Sequence, residues 1–171
     1  GKALMRSTAL PGDLIYVTGL LGDAGLGLKI KQGYHCDNPD AALQRFNQPE
    51  PQIEAGLALI GIANACIDVS DGLAGDLGHI LEQSNVGASL DWDDLPLSDA
   101  VLTYINDTGD WSMPLTAGDD YELCFTVSPE NAAQLAVNCT KIGVIESTPG
   151  LRLLKSGVIQ PLKIKGYEHF S

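Results

Sequence analysis

The sequence predicts an α+β domain in which a mixed β-sheet is layered with helices. Strand-like runs rich in β-branched residues alternate along the chain with segments of helical periodicity. A hydrophobic content of 44% over 171 residues is enough for a substantial core. The sequence contains neither an internal repeat nor a low-complexity tract. We therefore expect one domain over residues 1–171.

The first predicted strand is the apolar run 14–18, which follows a turn at residues 11–13. The glycine-rich segment 19–27 comes next. It lacks both the Gly-Lys-Ser/Thr ending and the full G-x-G-x-x-G pattern of phosphate-binding loops, so a tight strand-to-helix turn is the preferred interpretation. The alternative that Asp23 approaches a metal ion stays open.

Three helices are predicted in the first half. The segment 39–46 is a short helix, and 53–64, rich in alanine and leucine with little charge, predicts a helix that must be largely covered. From Leu73 onward, apolar residues recur with the spacing of one helix face, at Leu77, Ile80 and Leu81. This spacing predicts a buried amphipathic helix.

Three polar side chains, Asp68, Ser70 and Asp71, stand directly ahead of that third helix. In one interpretation Ser70 or Asp71 is the N-cap residue and Asp68 is a solvated neighbour. In the other, the two aspartates converge on a hard divalent cation, which prefers carboxylate oxygen. Their spacing alone is compatible with both.

The second half continues the alternation of strands and helices. A glycine turn carrying three acids, Asp119, Asp120 and Glu122, precedes an alternating strand that ends at Val127. The other predicted elements are a strand at 88–90, an acidic turn at 91–94, a helix at 99–105 capped by 95–98, a loop at 106–111, a helix from 128 to about 137, and strands at 141–145, 151–154 and 158–160.

Charge and cysteine content restrict the possible partners. With 22 acidic and 10 basic residues the net charge is −12, which argues against nucleic acid or an anionic membrane as a partner. An anionic ligand would therefore need metal ions to supply positive charge. The four cysteines form no C-x-x-C pair, which favours free thiols in a reducing cytosol. The chain begins at Gly1 without methionine, and we expect it to be part of a longer protein.

Four segments together resemble the C-terminal half of thiamine-monophosphate kinases. The most specific are I-D-V-S-D-G-L at 67–73 and G-D-D-Y-E-L at 118–123, flanked by 6–23 and by the closing G-Y-E-H-F at 166–170. The first motif occurs in weaker form in the wider superfamily of aminoimidazole ribonucleotide synthetase, selenophosphate synthetase and the hydrogenase-maturation dehydratase. The resemblance implies the fold of the C-terminal domain of these enzymes.

Family members transfer the γ-phosphoryl group of ATP directly to thiamine monophosphate, giving thiamine diphosphate, with several Mg²⁺ ions and K⁺ assistance. The resemblance implies that Asp68 and Asp71 are magnesium ligands and that Ser70 contacts the nucleotide phosphates. It implies that Asp119 binds the thiamine portion of the substrate and that Tyr167 stacks against a thiamine ring.

Two residues depart from the family pattern. Lys2 falls about where the family has a nucleotide-contacting arginine, but it lacks the bidentate fork. Asp119 replaces the usual glutamate, so its side chain is shorter by one methylene. The acceptor is a phosphate monoester that is already largely anionic at pH 7, so no general base is required. We therefore assign no catalytic residue, with Asp71 as an alternative proton acceptor only.

The resemblance also implies what else the active protein needs. An N-terminal domain would supply the remaining Mg²⁺ and ATP ligands and the contact of a homodimer, so we expect this chain to fold without catalysing the reaction alone. One alternative is another ATP-dependent member of the superfamily. The other is a non-catalytic calcium-binding module using Asp68, Asp91, Asp93 and Asp94, although the chain has no EF-hand-like loop.

Overall fold

The computed structural model describes residues 3–162. Strands and helices alternate through most of this range. In chain order they are β1 (Leu14–Thr18), α1 (Asp23–Lys31), α2 (Asp40–Asn47), α3 (Ile53–Ala58), β2 (Ala65–Asp68), α4 (Leu73–Ser84), β3 (Gly87–Asp91), α5 (Asp99–Thr108), α6 (Met113–Thr116), β4 (Leu123–Val127), β5 (Cys139–Glu146), β6 (Gly150–Lys155) and β7 (Val158–Gln160). Short 3₁₀ turns occupy Trp92–Asp94 and Ala132–Gln134.

The strands form one seven-stranded sheet in the order β2-β4-β1-β5-β3-β6-β7. Strands β3 and β6 run parallel, and the other neighbouring pairs are antiparallel. The predicted mixed sheet and the α+β class are thus confirmed. Strand β2, which leads to the acidic turn at 68–71, joins the sheet through β4.

The main core lies between α4 and the sheet. The residues of α4 that its spacing predicted to be buried, including Leu73, Leu77 and Ile80, are fully covered and pack with Ile15 and Val17 of β1. Each such side chain contributes roughly 1.5–3 kcal/mol by leaving water. This packing fixes the position of the N-terminal end of α4, where the candidate site lies.

A second apolar cluster joins the four helices α1, α2, α5 and α6 beside the sheet. It includes Leu26 of α1, Ala42 of α2, Val101 and Tyr104 of α5, and Met113 of α6.

No helix among the described residues has the length and apolar character needed to cross a membrane.

The predicted helix over 53–64 is wrong in its length and in its burial. Helix α3 ends at Ala58, and a turn follows in which the Leu59 carbonyl accepts the N–H groups of Ile62 and Ala63. Leu59 is buried against the sheet, but Ile53 and Leu57 are 68% and 64% exposed. Apolar composition indicated a covered helix, whereas the described chain provides no cover for its outer face.

Two other boundaries differ from the sequence-based expectations. The predicted helix at 128–137 is reduced to the 3₁₀ turn at Ala132–Gln134, since the Ser128 carbonyl accepts N–H groups from both Asn131 and Ala132 in a tight turn. In contrast, α5 continues to Thr108 through a region predicted as a loop. Gly109, in the left-handed conformation with φ of 75°, ends it.

Candidate functional site

The turn between β2 and α4 carries the three polar residues that the sequence singled out. Asp68 is the last residue of β2, and α4 begins at Leu73 after Gly72, whose φ is 110°. Asp68 and Asp71 are exposed, and Ser70 is half-buried. The first of the two interpretations, in which Ser70 or Asp71 caps the helix, is wrong, because Gly72 is the N-cap residue and no side chain caps it.

Asp76, inside the helix, holds the backbone of the turn ahead of it. Its Oδ2 atom accepts the backbone N–H groups of both Ser70 and Asp71, each at 2.8 Å. The side chain is only 2% exposed, and this burial raises its pKa while the two N–H donors oppose the shift. The two N–H groups are thus already used, so an anion at this turn must be held by other groups.

The second acidic segment, 118–122, runs directly beside this turn. The N–H of Asp119 donates to the Ser70 carbonyl at 2.8 Å, and the N–H of Tyr121 donates to the Val69 carbonyl at 2.8 Å. In the opposite direction, the N–H of Val69 donates to the carbonyl of Glu122 at 2.7 Å. These bonds continue the pairing of β2 with β4 past the strand ends, and they bring the two sequence motifs together.

Close approach and strain mark the same segment. A Cβ atom at Gly118 would lie 2.6 Å from the Ser70 carbonyl oxygen, so this position admits only glycine without a backbone shift. Asp119 and Tyr121 both have left-handed backbones, with φ of 68° and 52°. Such residues cost of the order of 1–3 kcal/mol and persist where the surroundings hold them.

Two buried acidic side chains of the segment itself anchor it to the domain. Asp120 is 1% exposed and accepts the Gly22 N–H at 3.1 Å, and burial raises the pKa of this carboxyl to about 7. Glu122 is 2% exposed and accepts from Thr18 Oγ1 at 2.5 Å and from Arg45 Nη2 at 2.7 Å. Burial raises the pKa of Glu122, and its two donors oppose the shift.

A cavity of about 260 Å³ opens beside Asp119. Its walls come from α1, α2, α6 with its flanking residues, and the start of the acidic segment. They are formed by Ala24, Gly25, Leu28, Lys29, Phe46, Asp110, Met113, Thr116, Ala117, Gly118 and Asp119. Two carboxylates against the single ammonium group of Lys29, together with Phe46 and the Met113 thioether, suit a small aromatic ligand that carries positive charge.

The structure therefore groups four of the predicted site residues, Asp68, Ser70, Asp71 and Asp119, in two paired loops. Asp23, the open alternative metal ligand, is 7% exposed and accepts a 2.6 Å bond from Ser98. Lys2 and Tyr167, assigned to the nucleotide and to the thiamine ring, lie outside the described residues.

The acids of the alternative calcium module serve local structure. Asp91 accepts the N–H of Asp93, and Asp93 accepts the N–H of Ser156. Within residues 3–162, no group of three or more histidine, cysteine or acidic side chains could hold a metal ion. Asp68 and the 91–94 segment therefore do not form the joint site that this alternative required.

Sequence reasoning missed Arg45, Asp76, Asp120 and Glu122 as parts of the site. Asp76 had a detectable signal, since it interrupts the apolar face of α4 one residue before Leu77. The sequence indicated Asp120 and Glu122 of the G-D-D-Y-E-L segment only as turn residues. Arg45 had no local signal, because its partners are 75 and 77 residues away along the chain.

Residues 11–154 match the family described as AIR synthase related protein, C-terminal domain. The chain belongs to this family. Its curated relatives include thiamine-monophosphate kinases from Salmonella typhimurium, 43% identical, and Escherichia coli K12, 40% identical, both over the whole chain. The match covers 56% of each relative, so the chain spans about half of their length.

The solved structures that this chain resembles include proteins of the same kind. The thiamine-monophosphate kinase of Stenotrophomonas maltophilia K279a is 37% identical, with a TM-score of 0.80 over 90% of this chain and 53% of that one. A structure described as AaThiL complexed with AMPPCP and TMP is 31% identical, with a TM-score of 0.78 over 98% and 54%. Escherichia coli HypE, a hydrogenase maturation protein, shares the fold at 19% identity. The predicted resemblance and its fold are confirmed.

Proposed function

We propose that this chain is the C-terminal half of a thiamine-monophosphate kinase, which transfers the γ-phosphoryl group of ATP to thiamine monophosphate and yields thiamine diphosphate. The observation that carries the proposal is the backbone pairing of Ser70 with Asp119, because it sets the proposed metal turn beside the proposed substrate acid. The kinase relatives, similar along the entire chain, support the same assignment.

Asp68 and Asp71 are the proposed magnesium ligands. Both carboxylates are exposed at the end of β2, and carboxylate oxygen is the donor that Mg²⁺ prefers. Two acids are too few to complete a site, so the remaining ligands would come from outside the described residues. Bound Mg²⁺ would neutralise charge on the transferred phosphoryl group. Arg6 lies 3.9 Å from Asp68, but this half-exposed pair is weak and would not exclude a metal.

Ser70 is the proposed contact to the nucleotide phosphates. Its N–H is bound to Asp76, so the hydroxyl is the group that remains for a phosphate oxygen. We retain the inference that no general base is needed, because the attacking oxygen belongs to an anionic phosphate. ATP as the donor is supported by the neighbour described as complexed with AMPPCP and TMP.

The cavity beside Asp119 is the proposed site for the thiamine portion. The thiazolium ring is cationic, so the Asp119 carboxylate would attract it, and Phe46 would offer an aromatic wall. Asp119 lies at the cavity rim on the strained segment, which sets the direction of its short side chain. Stacking by Tyr167 stays a prediction.

Several properties of the whole protein are also part of the proposal. The other half would supply further Mg²⁺ and ATP ligands and the homodimer contact, with K⁺ assisting, so that the present chain alone does not turn over. A cytoplasmic location is supported by the free thiols of Cys36, Cys66, Cys124 and Cys139.

The test uses the complete protein that contains this chain. Purified protein with ATP, Mg²⁺ and thiamine monophosphate should produce thiamine diphosphate, and a parallel reaction with selenide should not consume ATP. Asp68→Asn and Asp71→Asn should each lower kcat/KM by orders of magnitude and raise the Mg²⁺ concentration needed for half-maximal rate.

Asp94→Asn removes an exposed acid elsewhere on the domain and is the matched control. Near-normal rates for both turn variants would refute the metal assignment. The present chain alone should give no product above a no-protein control, and turnover by it would refute the need for the second half.

A further inference from the structure

Arg45 links helix α2 to the acidic segment 118–122. Its Nη2 atom donates to the backbone carbonyl of Asp120 at 2.8 Å and to Glu122 Oε1 at 2.7 Å. The Arg45 side chain is 25% exposed and that of Glu122 is 3% exposed, so this ion pair is largely removed from water. One nitrogen atom thus contacts the residues on both sides of Tyr121.

These contacts fall where the backbone is strained. Asp120 stands between Asp119 and Tyr121, the two left-handed residues of the segment. A strained backbone relaxes when its constraints are removed. The bond from Arg45 to the Asp120 carbonyl constrains the link between these two residues, and the Asp120 carboxylate is held on its other side by the Gly22 N–H.

Helix α2 also forms part of the cavity. Phe46, the residue after Arg45, and Asp119 both line the cavity. Lys31 of α1 lies 5.2 Å from the centre of the Phe46 ring and packs over it. One helix therefore supplies an aromatic wall and holds the loop that carries the carboxylate.

We propose that Arg45 is a positioning residue that sets the Asp119 carboxylate relative to Phe46, and so determines affinity for the thiamine portion of the substrate. This inference rests on the proposed function. It predicts a larger effect on thiamine monophosphate than on ATP, because the turn at 68–71, which would face the nucleotide and metal, keeps its two bonds to Asp76 in addition to its bonds to the segment 118–122.

The choice of variants separates positioning from loss of folding. Arg45→Met alone would leave the buried Glu122 carboxylate without its cation, which is strongly destabilising. The double variant Arg45→Met/Glu122→Gln removes both charges, and the introduced amide oxygen can still accept the Thr18 hydroxyl bond. Arg45→Lys retains a cation whose single nitrogen can donate to both acceptors, so it is the conservative variant.

In the complete protein, the double variant should raise KM for thiamine monophosphate at least about tenfold while KM for ATP stays within about twofold. The Arg45→Lys protein should have a KM for thiamine monophosphate close to that of the unaltered protein and well below that of the double variant. Equal rises in both KM values, or a fall in kcat with both KM values unchanged, would overturn the inference, because general structural damage would produce them.

Amide hydrogen exchange on the same complete proteins gives a second readout that needs no activity. The N–H groups of Asp119 and Tyr121 should exchange at least about tenfold faster in the double variant, while those of β5 and β6 keep their rates. Unchanged exchange at both residues would overturn the positioning role. If the unaltered protein fails to phosphorylate thiamine monophosphate, the proposed function falls, and exchange alone then decides the role of Arg45.

Discussion

The Asp76 carboxylate lies inside the first turns of α4 and accepts the backbone N–H of Asp71 at 2.8 Å. The same oxygen accepts a second N–H from Ser70, so one buried side chain orders the peptide planes on both sides of Ser70, within the candidate metal turn. This arrangement leaves the exposed side chains of the turn directed by a fixed backbone. The acid that shapes the turn is therefore distinct from the acids proposed to bind metal.

Replacing Asp76 with alanine should lower the free energy of unfolding by about 1–3 kcal/mol, since two partly buried N–H groups lose their acceptor. Asp76→Asn should cost less, because both bonds end on one oxygen that the amide can reproduce. Urea unfolding measures the change. Glu82→Ala, an exposed change on the same helix, is the control, and an Asp76→Ala loss no larger than that of the control would contradict this role.

Asp120→Asn should change how stability depends on pH. Burial raises the pKa of Asp120 to about 7, so between about pH 4 and 7 the folded state keeps a proton that the unfolded state has lost. The free energy of unfolding therefore falls as pH rises, by up to about 1.4 kcal/mol per pH unit from this group. Asparagine stays neutral and lacks that slope.

Urea unfolding of both proteins across this range should show Asp120→Asn gaining stability relative to the unaltered protein as pH rises. The pKa values of Glu122 and Asp76 are also raised, but both groups are present in both proteins. The difference in unfolding free energy between the two proteins therefore isolates the contribution of Asp120. A difference that stays constant from low to neutral pH would show that the carboxyl is not protonated in the fold.

Two glycines near the start of α4 should respond oppositely to alanine. Gly72 has φ of 110°, and a Cβ there would lie 2.8 Å from the Thr116 carbonyl oxygen, so Gly72→Ala should lower stability by more than about 1 kcal/mol. Gly75 has no atom within 4 Å of an added Cβ, so Gly75→Ala should raise stability by about 0.5–1 kcal/mol. Denaturation midpoints that move in the same direction would contradict the assigned geometry.

The cysteines should react with a thiol reagent in three classes. Thiolates are the reactive form, and burial raises the pKa of Cys66 to about 12 and raises those of Cys124 and Cys139. At mildly alkaline pH, Cys36 should react first, the partly exposed Cys139 more slowly, and the two buried thiols only on unfolding. Absorbance of the released reagent measures each phase.

The Cys36→Ser variant identifies the fast phase of that reaction, which it should abolish. All four thiols reacting at one rate in the folded protein would contradict the burial of Cys66 and Cys124. Cys36 is only half-buried and serine is a small change there, so the substitution should leave the fold intact. The slower phases, from the other three thiols, should therefore keep their rates.

Local patterns predicted the parts of the fold whose information is local. The spacing of Leu73, Leu77 and Ile80 describes one face of a helix, and the structure buries that face. The same reasoning failed for α3, because Leu57 is apolar but no described neighbour covers it. Composition reports what a segment could bury, and it carries no information on whether another element is present to cover it.

The candidate site was also predicted only in part, because local patterns carry only local information. Motifs identified Asp68, Asp71 and Asp119, whose positions follow recognisable sequences. The interpretation of Ser70 or Asp71 as the N-cap failed because Gly72 occupies that position, while Asp76, five or six residues further on, binds the N–H groups of Ser70 and Asp71 from a buried position. The ion pair of Arg45 with Glu122 depends on tertiary packing, which sequence periodicity does not contain.

The place of β4 in the sheet has a consequence for the order of folding. Strand β4 lies between β2 and β1, yet it is formed more than a hundred residues after β1. Until β4 inserts, β2 lacks its link to the rest of the sheet, and the turns at 68–71 and 118–122 cannot meet. Such long-range pairing closes large loops and is slow. We therefore expect the candidate site to assemble late, only after β4 has joined β2 to the rest of the sheet.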